Sequence, residues 1–189
     1  MKGYKFMIKI LFICHGNICR SPMALYYFQD LVRKKGLEDM FFLDSAATST
    51  EEIGNSAHRG TREKLRQAGI SCQGHQAKQM KSRDYGTFDY LIGMDDWNIR
   101  NMTRITGGDP DNKIHKLLEF AGSSRDVADP WYTGDFAATW DDITTGCNAL
   151  LEKILCILSV DGDIVLVLYK EKSVPHQSVL PENGLYLFY

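Results

Sequence analysis

The run Ile8-Lys9-Ile10-Leu11-Phe12-Ile13 constrains this chain more than any other segment. It is rich in β-branched and aromatic residues and ends at a glycine-containing loop, the profile of a strand buried inside a parallel sheet. The chain then passes through Cys14-His15-Gly16-Asn17-Ile18-Cys19-Arg20 to Ser21-Pro22, a hydroxyl cap followed by a proline suited to a first helical turn. Met23, Ala24, Tyr27, Phe28 and Leu31 recur at helical spacing, which predicts a helix from about Pro22 to Lys35 that stops at Gly36.

The alternation continues. Phe41-Phe42-Leu43-Asp44-Ser45-Ala46 reads as a second strand and Thr61 to Ala68, before Gly69, as a second helix. Tyr90-Leu91-Ile92-Gly93-Met94 reads as a third strand, followed by a short helix near Asp95 to Arg104. Lys113 to Leu118 fits either type, and its length favours a strand. Phe136, Trp140, Ile143, Cys147, Leu150, Leu151 and Ile154 fall three or four apart and predict one long helix between Asp135 and Leu155. Such a pattern folds as an α/β domain, a parallel sheet covered by helices on both faces, with its chemistry in the crevice at the carboxyl ends of the strands.

The 189 residues, 44% of them hydrophobic, suffice for one domain with one substantial core. Lys and Arg number 22 against 24 Asp and Glu, a formal charge of −2 that gives no electrostatic reason to expect a nucleic acid or an anionic membrane as partner. Anion binding therefore has to be local. Cys14, Cys19, Cys72, Cys147 and Cys156 follow neither a disulfide framework nor the paired spacing of a zinc site, so no metal is expected and a cytoplasmic setting fits best. Tyr4 to Cys14 is apolar enough to suggest a signal peptide, but Lys5 and Lys9 interrupt it and no small-residue cleavage site comes after it. No apolar run approaches the ~18 residues of a membrane span.

The loop after the first strand carries the chemistry. Backbone N–H groups curled around an anion form a nest, and the positive end of the following helix points at the same place. A cysteine at the base of that nest, Cys14, is favoured as the thiolate nucleophile. Arg20 closes the loop with a planar fork that holds two phosphate oxygens, a geometry lysine cannot copy. Gly16 permits close backbone approach, and Asn17 tolerates a left-handed conformation. A basic residue at a helix start opposes the helix dipole, a local conflict that an anion resolves. The loop has no Gly-Lys-Ser/Thr, so it is not a nucleotide-binding Walker motif.

Phe12-Ile13-Cys14-His15-Gly16-Asn17-Ile18-Cys19-Arg20-Ser21-Pro22 resembles the signature loop of the low-molecular-weight protein tyrosine phosphatases. Asp44-Ser45-Ala46-Ala47-Thr48-Ser49, Met94-Asp95 and Asp129-Pro130-Trp131-Tyr132 are similar to later blocks of that family, in order. The resemblance covers roughly residues 7–155, leaving residues 1–6 as an extension and 156–189 as a tail of unknown role. It implies a four-stranded parallel sheet in three α/β/α layers, the phosphatase I-like fold. It also implies hydrolysis of phosphotyrosine in proteins and of small aryl phosphate monoesters through a cysteinyl-phosphate, without metal or other cofactor.

By the same resemblance, Cys14, Arg20 and Asp129 are catalytic, with Asp129 as general acid and then base. His15, Gly16, Asn17, Ile18, Cys19 and Arg20 hold the phosphate. Ser45 fixes Asn17, Ser21 donates to the Cys14 thiolate, and Trp131 and Tyr132 form an aromatic wall for the substrate ring. His58 and His75 brace the core, with Asp95 a partner for His75. A reversible Cys14–Cys19 disulfide and phosphorylation of Tyr132 are further expectations. Ala47 stands where the family commonly has glycine.

Three other readings compete. An arsenate reductase of the same fold usually carries a resolving cysteine pair on one segment, whereas Cys72 stands alone until Cys147 and Asp129-Pro130 supplies an acid. An inactive phosphate-binding module requires the tail to interfere, since every reacting group is present. A protein-arginine phosphatase differs chiefly at the position of Ile18, where a branched apolar residue resembles the tyrosine-directed group. In the tail, Ser159 to Asp163 resembles a turn, Ile164 to Tyr169 a strand, and Pro175 and Pro181 interrupt the residues beyond Tyr169.

Overall fold

The structure is a computed structural model and describes residues 7–160. Four strands, β1 (Ile8–Cys14), β2 (Phe41–Ala47), β3 (Tyr90–Gly93) and β4 (Ile114–Lys116), form one sheet in the order β2-β1-β3-β4. Every pairing is parallel, with Cys14 opposite Ala47 and Ile13 opposite both Ala46 and Gly93. Helices α1 (Arg20–Lys34), α2 (Arg59–Gln67), α3 (Asp84–Thr87), α4 (Asp96–Thr106), α5 (Pro130–Thr133) and α6 (Phe136–Val160) connect and cover the strands.

Side chains of β1 alternate between two apolar layers, which is why its sequence reads as continuously hydrophobic. Leu11 and Ile13 pack with Phe88, Leu91, Met102 and Ile114, with Ile99 and Ile105 of α4 laid against them. Phe12 points the other way, its ring 5.6 Å from Phe28 of α1. Helix α6 lies on the α1 side, where the Trp140 and Tyr27 rings meet edge to face at 5.4 Å. A Cβ on Gly93 would come within 3.1–3.2 Å of Ile99, Asn98 and Met102, so the glycine lets α4 sit close against β3. The result is the expected four-stranded α/β/α arrangement.

Three local expectations need correction. Helix α1 begins at Arg20, with Cys19 rather than Ser21 in the capping position. The Ser21 hydroxyl is taken instead by Asn17 and Cys14 of the preceding loop, and Pro22 falls within the first turn, where its missing N–H costs nothing. The Lys113–Leu118 segment holds only three strand residues before a 3₁₀ turn at Leu117–Ala121. Helix α6 continues past Leu155 to Val160, so Ser159 and Val160 are helical rather than the start of a turn. Residues 161–163 of that turn, the strand-like run Ile164 to Tyr169, and the prolines beyond it lie outside the described residues, as do residues 1–6.

Candidate active site

Cys14 is the last residue of β1 and Arg20 the first of α1, so residues 15–19 make the whole strand-to-helix crossover. The carbonyls of this loop are tied outward. Thr48 N–H donates to Cys14 O at 2.9 Å, Ser49 N–H to His15 O at 3.0 Å, and His58 N–H to Ile18 O at 2.8 Å. His75 Nε2–H donates to Asn17 O at 2.8 Å, and Thr61 Oγ1–H to Cys19 O at 3.3 Å. Fastening the carbonyls of Cys14, His15, Asn17, Ile18 and Cys19 from outside the loop suits a curve whose peptide N–H groups are turned inward, as an anion nest requires.

Asn17 is wholly buried and left-handed, with φ of 57°. Its side chain explains how that conformation is held. Nδ2 donates to Ser21 Oγ and to Ser45 Oγ, each at 2.9 Å, while Oδ1 accepts from Lys78 N–H at 3.1 Å. Because Ser21 Oγ accepts from Asn17, its own hydrogen is available to Cys14 Sγ, which lies 3.1 Å away. Ala47 causes no strain: its N–H donates to Lys78 O at 2.7 Å and its carbonyl accepts from Met80 N–H at 2.9 Å.

Arg20 has a side chain only 4% exposed, clamped between two carboxylates. Nη1 donates to Asp95 Oδ2, and Nη2 forms an ion pair with Asp129 Oδ2, both at 2.6 Å. Burial opposes its charge, but Cys14, Asp129 and Asp95 outweigh that effect and raise its pKa above the ordinary arginine value. Asp95 is therefore a partner of Arg20 and not of His75, a correction whose cause is that Asp95 Oδ2 is held by Arg20 and Oδ1 by the Asn98 N–H, while His75 Nε2 serves Asn17 O. His75 is buried beside an edge of Tyr26, and that burial lowers its pKa below the usual 6.5. His58 caps α2 by accepting from Gly60 N–H at 3.1 Å and stacks on Phe136 with ring centroids 5.1 Å apart.

A cleft of about 310 Å³ opens above this loop, lined by Cys14, His15, Gly16, Ile18, Cys19, Arg20, Asp129, Trp131 and Tyr132, and by Glu51 and Glu52. Trp131 is 62% and Tyr132 85% exposed, so both flank the opening and neither is packed in the core. Asn17, Ser21 and Ser45 stand behind the loop rather than in the cleft. Cys14 and Cys19 both carry thiols, and burial, reinforced by Cys14 and Asp129, pushes that of Cys19 up to about 12. Cys72 and Cys147 are buried, and Cys156 is at the surface.

Sequence reasoning missed Glu51, which meets His15 Nε2 at 3.0 Å, and Glu52, whose Cγ is 3.0 Å from where a Cβ on Gly16 would lie. It also missed Thr61 and the backbone of Lys78. Only the position of Glu51 and Glu52, just after the Ser45 block, gave any signal. Among the described residues no cluster of His, Cys, Asp and Glu is arranged to hold a metal ion, and no helix is long and apolar enough to cross a membrane.

A family profile described as low molecular weight phosphotyrosine protein phosphatase matches residues 9–156. The low molecular weight protein-tyrosine-phosphatase YfkJ of Bacillus subtilis is 46% identical over 150 residues, covering 78% of this chain and 96% of that protein. Its crystal structure superposes with a TM-score of 0.78 over 81% of this chain and 98% of that one, at 45% identity. The mouse low molecular weight phosphotyrosine protein phosphatase is 37% identical over 151 residues, 76% of this chain and 94% of that protein. A structure titled drosophila arginine phosphatase shares the fold with a TM-score of 0.71 and 27% identity over 78% of this chain and 98% of that one. With the profile spanning most of its length, the chain belongs to the low molecular weight phosphotyrosine protein phosphatase family.

Proposed function

We propose that this protein hydrolyses phosphotyrosine in proteins, and small aryl phosphate monoesters, through a phosphoryl group carried on Cys14. One observation carries the reading: a single cleft brings together a cysteine backed by a hydroxyl, a buried guanidinium and a carboxylate touching that guanidinium. The Cys14 thiolate attacks phosphorus while the P–O bond to the tyrosyl oxygen breaks. Asp129, protonated for this step, gives its proton to the departing oxygen. Arg20 and the loop N–H groups hold the three equatorial oxygens, where charge is greatest.

Phosphate oxygens entering the fork of Arg20 take the place that Asp129 Oδ2 holds, which frees the carboxyl group to turn towards the ester oxygen. In the second step a water attacks phosphorus and passes a proton to the Asp129 carboxylate, the S–P bond breaks, and the Ser21 hydroxyl donates to the returning thiolate. Trp131 and Tyr132 give the substrate ring an aromatic surface at the opening, in keeping with an aryl ester.

The decisive experiment is intact mass after acid quench of a reaction with p-nitrophenyl phosphate. A mass gain of one phosphoryl group on Cys14, absent in Cys14→Ser, is expected. Asp129→Ala should keep the adduct and slow turnover of phenyl phosphate by about 10²–10⁴. No adduct in the intact protein, or Cys14→Ser turning over at the original rate, would remove the proposal. Phosphotyrosine and phosphoarginine peptides assayed together should favour the former.

A further inference from the structure

We infer that Asp142 and Thr139, one turn apart on α6, are positioning residues that aim the general acid, an inference that rests on Asp129 having that role. The observation is a clamp on the residue before it. Asp142 Oδ2 accepts from the N–H of Ala128 at 2.9 Å, and Thr139 Oγ1–H donates to the carbonyl of the same residue at 2.8 Å. Ala128 thus has both backbone polar groups fixed by side chains of one helix, 14 and 11 positions away.

The clamp is anchored on both sides. Both Asp142 and Thr139 are buried, at 6% and 0% exposure. Asp142 also receives the Arg125 fork, through Nη1 to Oδ2 at 2.8 Å and through Nη2 to Oδ1. Burial acts to raise its pKa, but the hydrogen bonds from Arg125 and Ala128 N–H prevail and hold Asp142 ionised, below the usual carboxylate value. Val127 N–H donates to Met94 O at 2.8 Å, and Lys116 Nζ holds Ser124 O and, at 3.0 Å, Asp126. The loop leading to Asp129 is therefore fastened to the sheet end and to α6, while among the described residues the Asp129 side chain has its ion pair with Arg20 and a hydrogen bond from the Trp131 N–H.

A rigid approach with a mobile tip is what a proton donor needs when it must leave Arg20 for a substrate oxygen. Rotation about the Asp129 side chain suffices if its Cα is fixed. A backbone shift of about 1 Å costs up to 10²-fold in a positioned step. The clamp acts through Asp129 and leaves the Cys14–Arg20 loop itself untouched, so its loss falls on proton donation and has a signature that plain destabilisation lacks.

The test compares kcat/KM for phenyl phosphate, a poor leaving group, with that for 2,4-dinitrophenyl phosphate, which departs with little help from an acid. Thr139→Val keeps the shape of the side chain and removes the hydroxyl; Asp142→Asn keeps an acceptor and removes the charge. Asp129→Ala serves as reference, and inorganic phosphate inhibition reports the intact binding loop. In Thr139→Val, kcat/KM for phenyl phosphate should fall about 10-fold or more while that for the dinitrophenyl ester changes less than about 3-fold and phosphate inhibition is not weakened; Thr139→Ser should restore the former. An equal loss on both esters, or none in a folded variant, overturns the clamp while leaving Asp129 as acid. If Asp129→Ala itself fails to discriminate between the esters, the acid assignment falls and the clamp with it.

Discussion

Replacing Asn17 by alanine tests whether the Cys14–Arg20 loop is held by one buried side chain. The substitution removes two donations, to Ser21 Oγ and Ser45 Oγ, and one acceptor, leaving Lys78 N–H unpaired. Each lost hydrogen bond is worth about 1 kcal/mol net, and an orphaned N–H costs about 1–3 kcal/mol when fully buried. Alanine in place of asparagine at φ of 57° adds about 1 kcal/mol of backbone strain. Because the bonds form one network the terms do not simply add, and a loss of about 2–4 kcal/mol in urea unfolding is expected. Asn17→Gly removes the same bonds but not the conformation, so it should recover about 1 kcal/mol relative to alanine. In both, Ser21 is no longer oriented by an incoming N–H and Cys14 loses a fixed donor, so kcat/KM should fall at least 10-fold. Unfolding midpoints that match the original protein, with unchanged kcat/KM, would refute the idea that Asn17 holds the loop.

Gly146→Ala in α6 sets helix propensity, a gain of about 1 kcal/mol, against a new Cβ 2.5 Å from Cγ of fully buried Leu117; overpacking at about 1–3 kcal/mol wins, and thermal unfolding should come earlier. His75 binds a proton less readily folded than unfolded, so its contribution is complete above about pH 6.5 and is lost as pH falls below that value; His75→Gln should show a shallower decline in stability between about pH 7 and 5, and identical slopes would refute this. Iodoacetamide at neutral pH should mark Cys14 and surface Cys156 but leave Cys19, pushed up to about 12, and buried Cys147 unmodified by peptide mass mapping; inorganic phosphate should shield Cys14 alone.

The parts of this protein that local chemistry determines were readable in the sequence. Ile8 to Ile13 announces a strand covered on both faces because alternate side chains meet different helices, Phe12 facing Phe28 and Leu11 facing Met102. Cys14 and Arg20 are readable as a pair because one loop holds both. Local rules failed where another partner competes for the same group. Ser21 has the chemistry of a helix cap, yet its oxygen is engaged by Asn17 and Cys14, and the helix starts earlier without a side-chain cap. Asp95 meets Arg20 across 75 positions, and no spacing rule joins them. Three strand residues in β4 are too few to display a period, which left that segment ambiguous.

Arg20 places a cation at the start of a helix, where the dipole is unfavourable, and at 4% exposure it has little help from water. Two carboxylates offset this, and each is itself fixed at a helix start: Asp95 Oδ1 accepts from Asn98 N–H at 2.6 Å and Asp129 Oδ1 from Trp131 N–H at 3.0 Å. The charge of Arg20 is thus largely balanced by groups of the protein, and in the proposed mechanism an incoming phosphate competes with Asp129 for Nη2. Removing that competitor should have opposite effects on binding and turnover. In Asp129→Ala the fork of Arg20 is open on one side, so inorganic phosphate should inhibit several-fold more strongly, while turnover of phenyl phosphate collapses for want of a proton donor. Inhibition constants measured by competition against 2,4-dinitrophenyl phosphate give the first quantity and phenyl phosphate kinetics the second. Weaker phosphate inhibition in Asp129→Ala would mean that Asp129 aids anion binding rather than opposing it, and the competition for Arg20 would have to be abandoned.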